Sequence, residues 1–133
     1  MRRLRLFITL PALVLVACGG TGDSGTGAAA TARLEIRVLA APTCPVETEP
    51  PSPECAPQPV ESATIVVTDA NGDEVGRGTT RADGVVGFDV SPGELTVVPR
   101  PVEGLLGTAP PISVTLAAGQ SLQVSVDYDT GIR

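Results

Sequence analysis

The chain has no lysine, histidine or tryptophan, and its 133 residues include one tyrosine and two phenylalanines. Each absence closes off a class of function. Without lysine or histidine, nothing is at hand to activate a serine or cysteine nucleophile, so covalent catalysis has little to work with. The basic residues are all arginine, nine against 15 acidic side chains, for a formal net charge of −6. A protein that displaces counterions from phosphates needs a cationic face, so a nucleic-acid partner is not expected. Scarce aromatics also remove the flat rings on which sugars are commonly stacked. Carboxylates remain, and a pair of them could in principle cleave a glycosidic bond. Asp69, Asp73, Asp83 and Glu94, however, all stand in turns, where short acidic side chains serve local hydrogen bonds. The reading is a non-enzymatic chain that needs no cofactor.

What is present begins with a basic start, Met1-Arg2-Arg3-Leu4-Arg5, followed by an apolar run, Leu6 to Val16, too short to span a bilayer comfortably. It closes with Leu15-Val16-Ala17-Cys18. This tetrapeptide resembles the lipobox of bacterial lipoproteins. The resemblance implies a signal peptide over residues 1–17, cleavage before Cys18, and lipid (diacylglyceryl and acyl chains such as palmitate) on that cysteine. The alternative is an ordinary secretory signal that happens to end in cysteine. Removing residues 1–17 takes Arg2, Arg3 and Arg5 from the nine arginines, leaving six against 15 acids, a formal charge of −9. Attachment to a cell membrane or outer membrane, on its extracytoplasmic side, would then rest on the lipid at Cys18 and not on a basic surface. Residues 18–31 are rich in Gly, Ser, Thr and Ala and read as a tether, whose 13 residues after Cys18 span about 20 Å.

Residues 32–133 read as one domain. Arg33 to Val38 alternates polar and apolar residues, the period of a strand with one wet face. Prolines at 42, 45, 50, 51, 53, 57 and 59 exclude helix and any paired central strand from the next segment. With Cys18 carrying lipid, Cys44 and Cys55 remain as an even pair in an oxidising compartment and read as a disulfide; they lack the histidine partners and CxxC spacing of a metal or redox pair. Ala63 to Thr68 is a β-branched strand, and Asn71-Gly72 predicts a hairpin. The return strand, Glu74 to Thr80, contains Gly76 and Gly78 and so reads as an edge or bulged strand. Thr79 to Pro99 reads as a hairpin, with strands at Val85–Val90 and Leu95–Val98 joined by Ser91-Pro92-Gly93-Glu94. Ile112–Leu116 and Leu122–Val126 read as a last hairpin. The sum, about seven strands with turns at short intervals, predicts an all-β Greek-key β-sandwich.

Pro59 to Val67, Asp69-Ala70-Asn71-Gly72, Thr80-Arg81-Ala82-Asp83-Gly84 before Phe88, and Pro92-Gly93-Glu94-Leu95 carry a family pattern. In this order they resemble the transthyretin-like (prealbumin-like) β-sandwich of bacterial carboxypeptidase regulatory-like and Cna-B-type domains. The ending Asp127 to Arg133 is similar to the close of small lipoproteins bearing this domain. Cna-B-type domains often carry a Lys–Asn or Lys–Asp isopeptide bond, which a chain without lysine cannot form. Asp69, Asn71 and Asp73 have the oxygen spacing of a calcium loop, but the glycine at its sixth position and glutamate at its twelfth are missing, and the Asn-Gly hairpin explains the same residues. Tyr128 is the one residue placed to touch a ligand, although a partly buried strand end with its hydroxyl in water accounts for it. These readings combine into a lipid-anchored envelope module with an interaction or structural role. The rival is a surface lipoprotein that binds carbohydrate or peptide through the proline-rich loops at 40–59 and 100–111.

Overall fold

A computed structural model describes residues 30–46 and 49–133. The expected signal peptide, Cys18 and most of the tether lie outside the described residues. The described chain forms eight strands: β1 (Ala32–Ala41), β2 (Gln58–Pro59), β3 (Thr64–Asp69), β4 (Glu74–Thr79), β5 (Val85–Val90), β6 (Gly93–Pro99), β7 (Ile112–Leu116) and β8 (Ser121–Asp129). They make two four-stranded sheets. One has the order β4-β3-β6-β7; the other is built around β1, which pairs with β2, β5 and β8. The expected all-β sandwich is therefore the observed architecture, and β2 is a two-residue addition to the seven strands read from sequence.

Alternation along β1 carries straight into burial. Leu34, Ile36 and Val38 are completely buried, while Arg33 and Arg37 face solvent. β8 runs parallel to β1 from Arg33 to Ala41 and occupies one of its edges. β5 is antiparallel to Ala32–Arg37 and β2 to Leu39–Ala40, so these two share the other edge end to end. Val38 closes the gap between them, donating its N–H to Gly84 and accepting from the Val60 N–H. Pro59 is paired, but on a marginal strand and not a central one, as the proline content required. It is tolerated because β2 lies at the margin of the sheet, where a missing donor costs little.

Two expected hairpins are not hairpins. β5 belongs to the sheet of β1 and β6 to the sheet of β3, so Ser91-Pro92 carries the chain across the sandwich instead of folding it back. β7 and β8 are likewise split between sheets. Only Asn71-Gly72 joins neighbouring strands as expected, with Asp69 carboxylate oxygen accepting the N–H groups of Asn71 and Asp73. The strand that follows is both an edge strand and irregular, since its register to β3 shifts between Val67 and Thr68. Its glycines have a packing reason. A Cβ at Gly76 would stand 2.9 Å from the Phe88 ring and one at Gly78 would stand 3.0 Å from Val86, so the bare backbone of β4 is the floor on which β5 rests. Phe88, Val90, Leu95 and Val97 all lie in the core, as the Thr79–Pro99 stretch suggested.

The Thr80-to-Gly84 motif is a corner buried at its two ends and exposed at Arg81 to Asp83. Thr80 donates its hydroxyl to the Val60 carbonyl and accepts the Ala63 N–H, and Asp83 accepts the N–H of Val85. Gly84 has φ +75°, and a Cβ there would lie 2.6 Å from the Val38 carbonyl oxygen. Positive φ and absent space both demand glycine. Thr80→Val keeps the volume of the side chain but strands a buried donor and a buried acceptor. It should cost about 1–3 kcal/mol, read as a lower urea midpoint with an unchanged slope.

Candidate functional site: the disulfide loop and its C-terminal clasp

The segment between β1 and β2 is long, proline-rich and closed on itself. Cys44 and Cys55 are joined, with their Cα atoms 5.2 Å apart. Pro53–Cys55 forms one turn of 3₁₀ helix, in which Cys55 donates its N–H to Ser52 and Ala56 to Pro53. The Ala56 carbonyl then accepts from the Thr43 hydroxyl and the Gln58 amide, tying both limbs of the loop together. Two open grooves flank the bridge. The larger, about 660 Å³, is lined by Glu49, Pro51, Ser52, Pro53, Ala56 and Pro57 among others. The smaller, about 420 Å³, lies over Pro42, Thr43 and Cys44. Glu49 is the sole ionisable group among these linings, so the surface on offer is proline rings and a few backbone carbonyls.

A clasp that sequence reasoning missed holds this loop and the 100–111 loop against the same end of the sandwich. Thr130 donates its hydroxyl to the Pro42 carbonyl and its N–H to Ala41. The Asp129 carbonyl accepts the Leu106 N–H at 2.8 Å, and Leu106 lies over Gly131. Tyr128 reaches the Arg100 carbonyl with its hydroxyl at 2.5 Å. The expectation of a partly buried tyrosine with a wet hydroxyl is corrected here: the side chain is buried, its hydroxyl is bonded, and burial raises its pKa. Three consecutive residues of one strand end thus fasten both loops. No residue of the 100–111 loop lines either groove, so the two loops share an anchor but not a pocket. The signal in sequence was Asp129-Thr130-Gly131, an Asx turn in which Gly131 donates its N–H to Asp129.

Asp129 also forms a paired contact with Arg133, at 2.9 and 3.1 Å. The Arg133 guanidinium, helped by the Gly131 N–H, holds the carboxyl down to about 2. Arg77 likewise lowers Glu74 through a 2.6 Å hydrogen bond. Asp69, Asn71 and Asp73, named as cation candidates, sit at the β3–β4 turn with Asp69 turned onto its own backbone. Among the described residues, no three His, Cys, Asp or Glu side chains converge. Asp73 and Asp83 stand in turns as expected, but Asp69 ends β3 and Glu94 lies within β6, so the four carboxylates are dispersed and Glu94 is not a turn residue. No described helix is long and apolar enough to cross a membrane.

No protein-family model matches the chain, and no curated protein does. Solved structures do resemble it. The minor pilin GBS52 of Streptococcus agalactiae is 12% identical, with a TM-score of 0.57 over 75% of this chain and 44% of its own. The shaft pilin SpaA of Lactobacillus rhamnosus GG is 8% identical, with a TM-score of 0.57 over 74% of this chain and 49% of its own. A variant of BcpA, the major pilin subunit of Bacillus cereus, is 15% identical, with a TM-score of 0.55 over 74% of this chain and 30% of its own. At such identities the likeness is one of fold. It supports the prealbumin-like sandwich, and this chain spans half or less of those proteins.

Two outcomes test the clasp and the bridge. A carboxyl held low in the folded state contributes stability above its unfolded pKa and loses it as pH falls toward about 2. The melting temperature should therefore fall with pH between about 4 and 2, and Asp129→Asn should flatten that part of the profile. Reducing the Cys44–Cys55 bridge should cost at most about 3 kcal/mol in chemical denaturation, less if the prolines already stiffen the open loop.

Proposed function

We propose that this chain is a lipid-anchored, extracytoplasmic β-sandwich with a non-enzymatic structural or interaction role at the cell envelope. The observation that carries the anchor is the lipobox-like Leu15-Val16-Ala17-Cys18 behind a basic start and a short apolar run. The role is supported by the fold's likeness to a minor pilin, a shaft pilin and a major pilin subunit. It is supported further by the dispersal of the carboxylates along the chain and the lack of lysine and histidine.

A second reading, binding of a peptide or carbohydrate by the disulfide loop, has the larger groove in its favour. Its lining offers no aromatic ring and one carboxylate, which suits a short apolar peptide better than a sugar. The surface charge, acidic overall, also leaves nucleic acid and anionic lipid as poor partners.

Fractionation of the native host tests the anchor. The wild-type chain should sediment with membranes and incorporate labelled palmitate, and Cys18→Ser should move to the soluble extracytoplasmic fraction. Retention of Cys18→Ser on the membrane would refute attachment through that cysteine.

A further inference from the structure

Among the described residues the sandwich has one long unguarded edge, and hydrogen bonds at its two ends settle which atoms face outward. The Arg33 N–H donates to Gln120 at 2.8 Å and the Thr130 N–H donates to Ala41 at 3.2 Å. In a parallel ladder these contacts fix the phase: even-numbered residues from Gln120 to Thr130 turn their backbone groups toward β1, and odd-numbered ones turn theirs away. Asp129 obeys the rule, since its carbonyl meets Leu106 from the other side. Ser121, Gln123, Ser125 and Asp127 therefore present four N–H and four C=O groups along an edge that pairs with no described strand.

Other margins are blunted in the usual ways. β4 is broken in register, β2 is two residues long and contains proline, and β7 is five residues long and follows Pro110-Pro111. β5 faces β4, with Phe88 filling the space over Gly76. β8 has nine residues with no proline, glycine or basic side chain. Its core-facing Leu122 and Val124 are only half-buried, whereas Val126 and Tyr128 farther along are buried.

We propose that this edge pairs with the same edge of a second copy, antiparallel and centred on Val124. The register follows from the free stretch itself. Leu106 blocks the edge at Asp129, so the open residues run from Ser121 to Asp127, with Val124 in the middle. Centring there sets Ser121 opposite Asp127 and Gln123 opposite Ser125, the outward-facing residues forming the hydrogen-bonded pairs. All four outward residues of each copy are then used, giving about eight new hydrogen bonds. Shifting the centre to Ser125 would drive Ser121 against the occupied Asp129; shifting it to Gln123 would leave Asp127 unpaired. On the core side Leu122 meets Val126 and Val124 meets its own symmetry mate, so the half-buried apolar row gains cover. Asp127 stands opposite Ser121 in this register, so no acidic side chain on the strand faces another. A contact of this kind is isologous and closes at two copies.

The test uses the purified full chain and does not depend on how it is attached to a membrane. In the centred register the two Val124 Cα atoms lie about 4.5 Å apart, within disulfide range. Val124→Cys, treated with copper phenanthroline as the oxidant, should lose two thiols per linked pair and run as a dimer on a non-reducing gel. It should do so about tenfold faster than Thr115→Cys on the β7 edge, because pairing raises the effective thiol concentration. Adding Ser125→Pro removes an N–H that faces solvent, not β1, so the fold should survive, as judged by an unchanged circular dichroism spectrum, while cross-linking falls to the control rate. Sedimentation of the wild-type chain gives an independent readout: a dimer should form, and salt should strengthen it, since both copies carry net negative charge. A monomer at all concentrations, cross-linking no faster than Thr115→Cys, dissociation by salt, or capture of a different protein at position 124 would each overturn the proposal.

Discussion

The structure depends on both edges of β1 being occupied. One sheet consists of this strand and what is attached to it: β8 along one side, β5 and β2 in succession along the other. Leu34, Ile36 and Val38 carry the sheet's share of the core at full burial, each contributing on the order of 1.5–3 kcal/mol relative to exposure. Because β8 is parallel to β1, the last strand ends where β1 ends, beside the disulfide loop. The clasp of Tyr128, Asp129 and Thr130 is a consequence of that direction. An antiparallel last strand would have delivered those residues to the opposite end of the molecule.

Alternation and turn chemistry made the strands legible, but not their partners. Ser91-Pro92-Gly93 has the composition of a hairpin turn, and the strands on either side each bear one apolar face. In a sandwich the same pattern arises when the chain crosses between sheets, since strands of both sheets face one core. Phe88 and Val90 from one sheet and Leu95 and Val97 from the other meet in that core, so periodicity cannot separate the two cases. Asn71-Gly72 marked a true hairpin, in which Gly72 takes the left-handed φ of +84° after a turn closed by its N–H to the Asp69 carbonyl. The glycines of β4 were visible as an irregularity, yet their reason is the Phe88 ring twelve residues beyond Gly76, a contact that no local rule contains.

The candidate site was legible in the opposite proportion. Prolines and two cysteines marked the loop, and the bridge follows from their number once Cys18 is set aside. What fastens the loop was not marked, because Thr130 and Tyr128 act on backbone carbonyls at Pro42 and Arg100, and a carbonyl has no sequence signature. Tyr128 shows the cost of judging a residue by its place in the chain. Five residues from the last one, it reads as a partly buried strand end with a wet hydroxyl; the parallel pairing with β1 carries it into the interior.

Polar side chains here are largely turned inward on the chain's own structure. Thr80, Asp69, Asp83, Asp129 and Thr130 serve backbone groups, and Arg33, Arg77, Arg81 and Arg133 each meet a carboxylate. Those ion pairs are exposed and individually worth about 0–1 kcal/mol, so they order the surface more than they stabilise it. Among the described residues, no buried side-chain polar atom is left without a partner. Among the described strands, backbone left without a partner strand lies at the outward N–H and C=O groups of β8. In the proposed dimer, recognition is governed by strand geometry: the partner is selected by register and by the small polar residues that flank it.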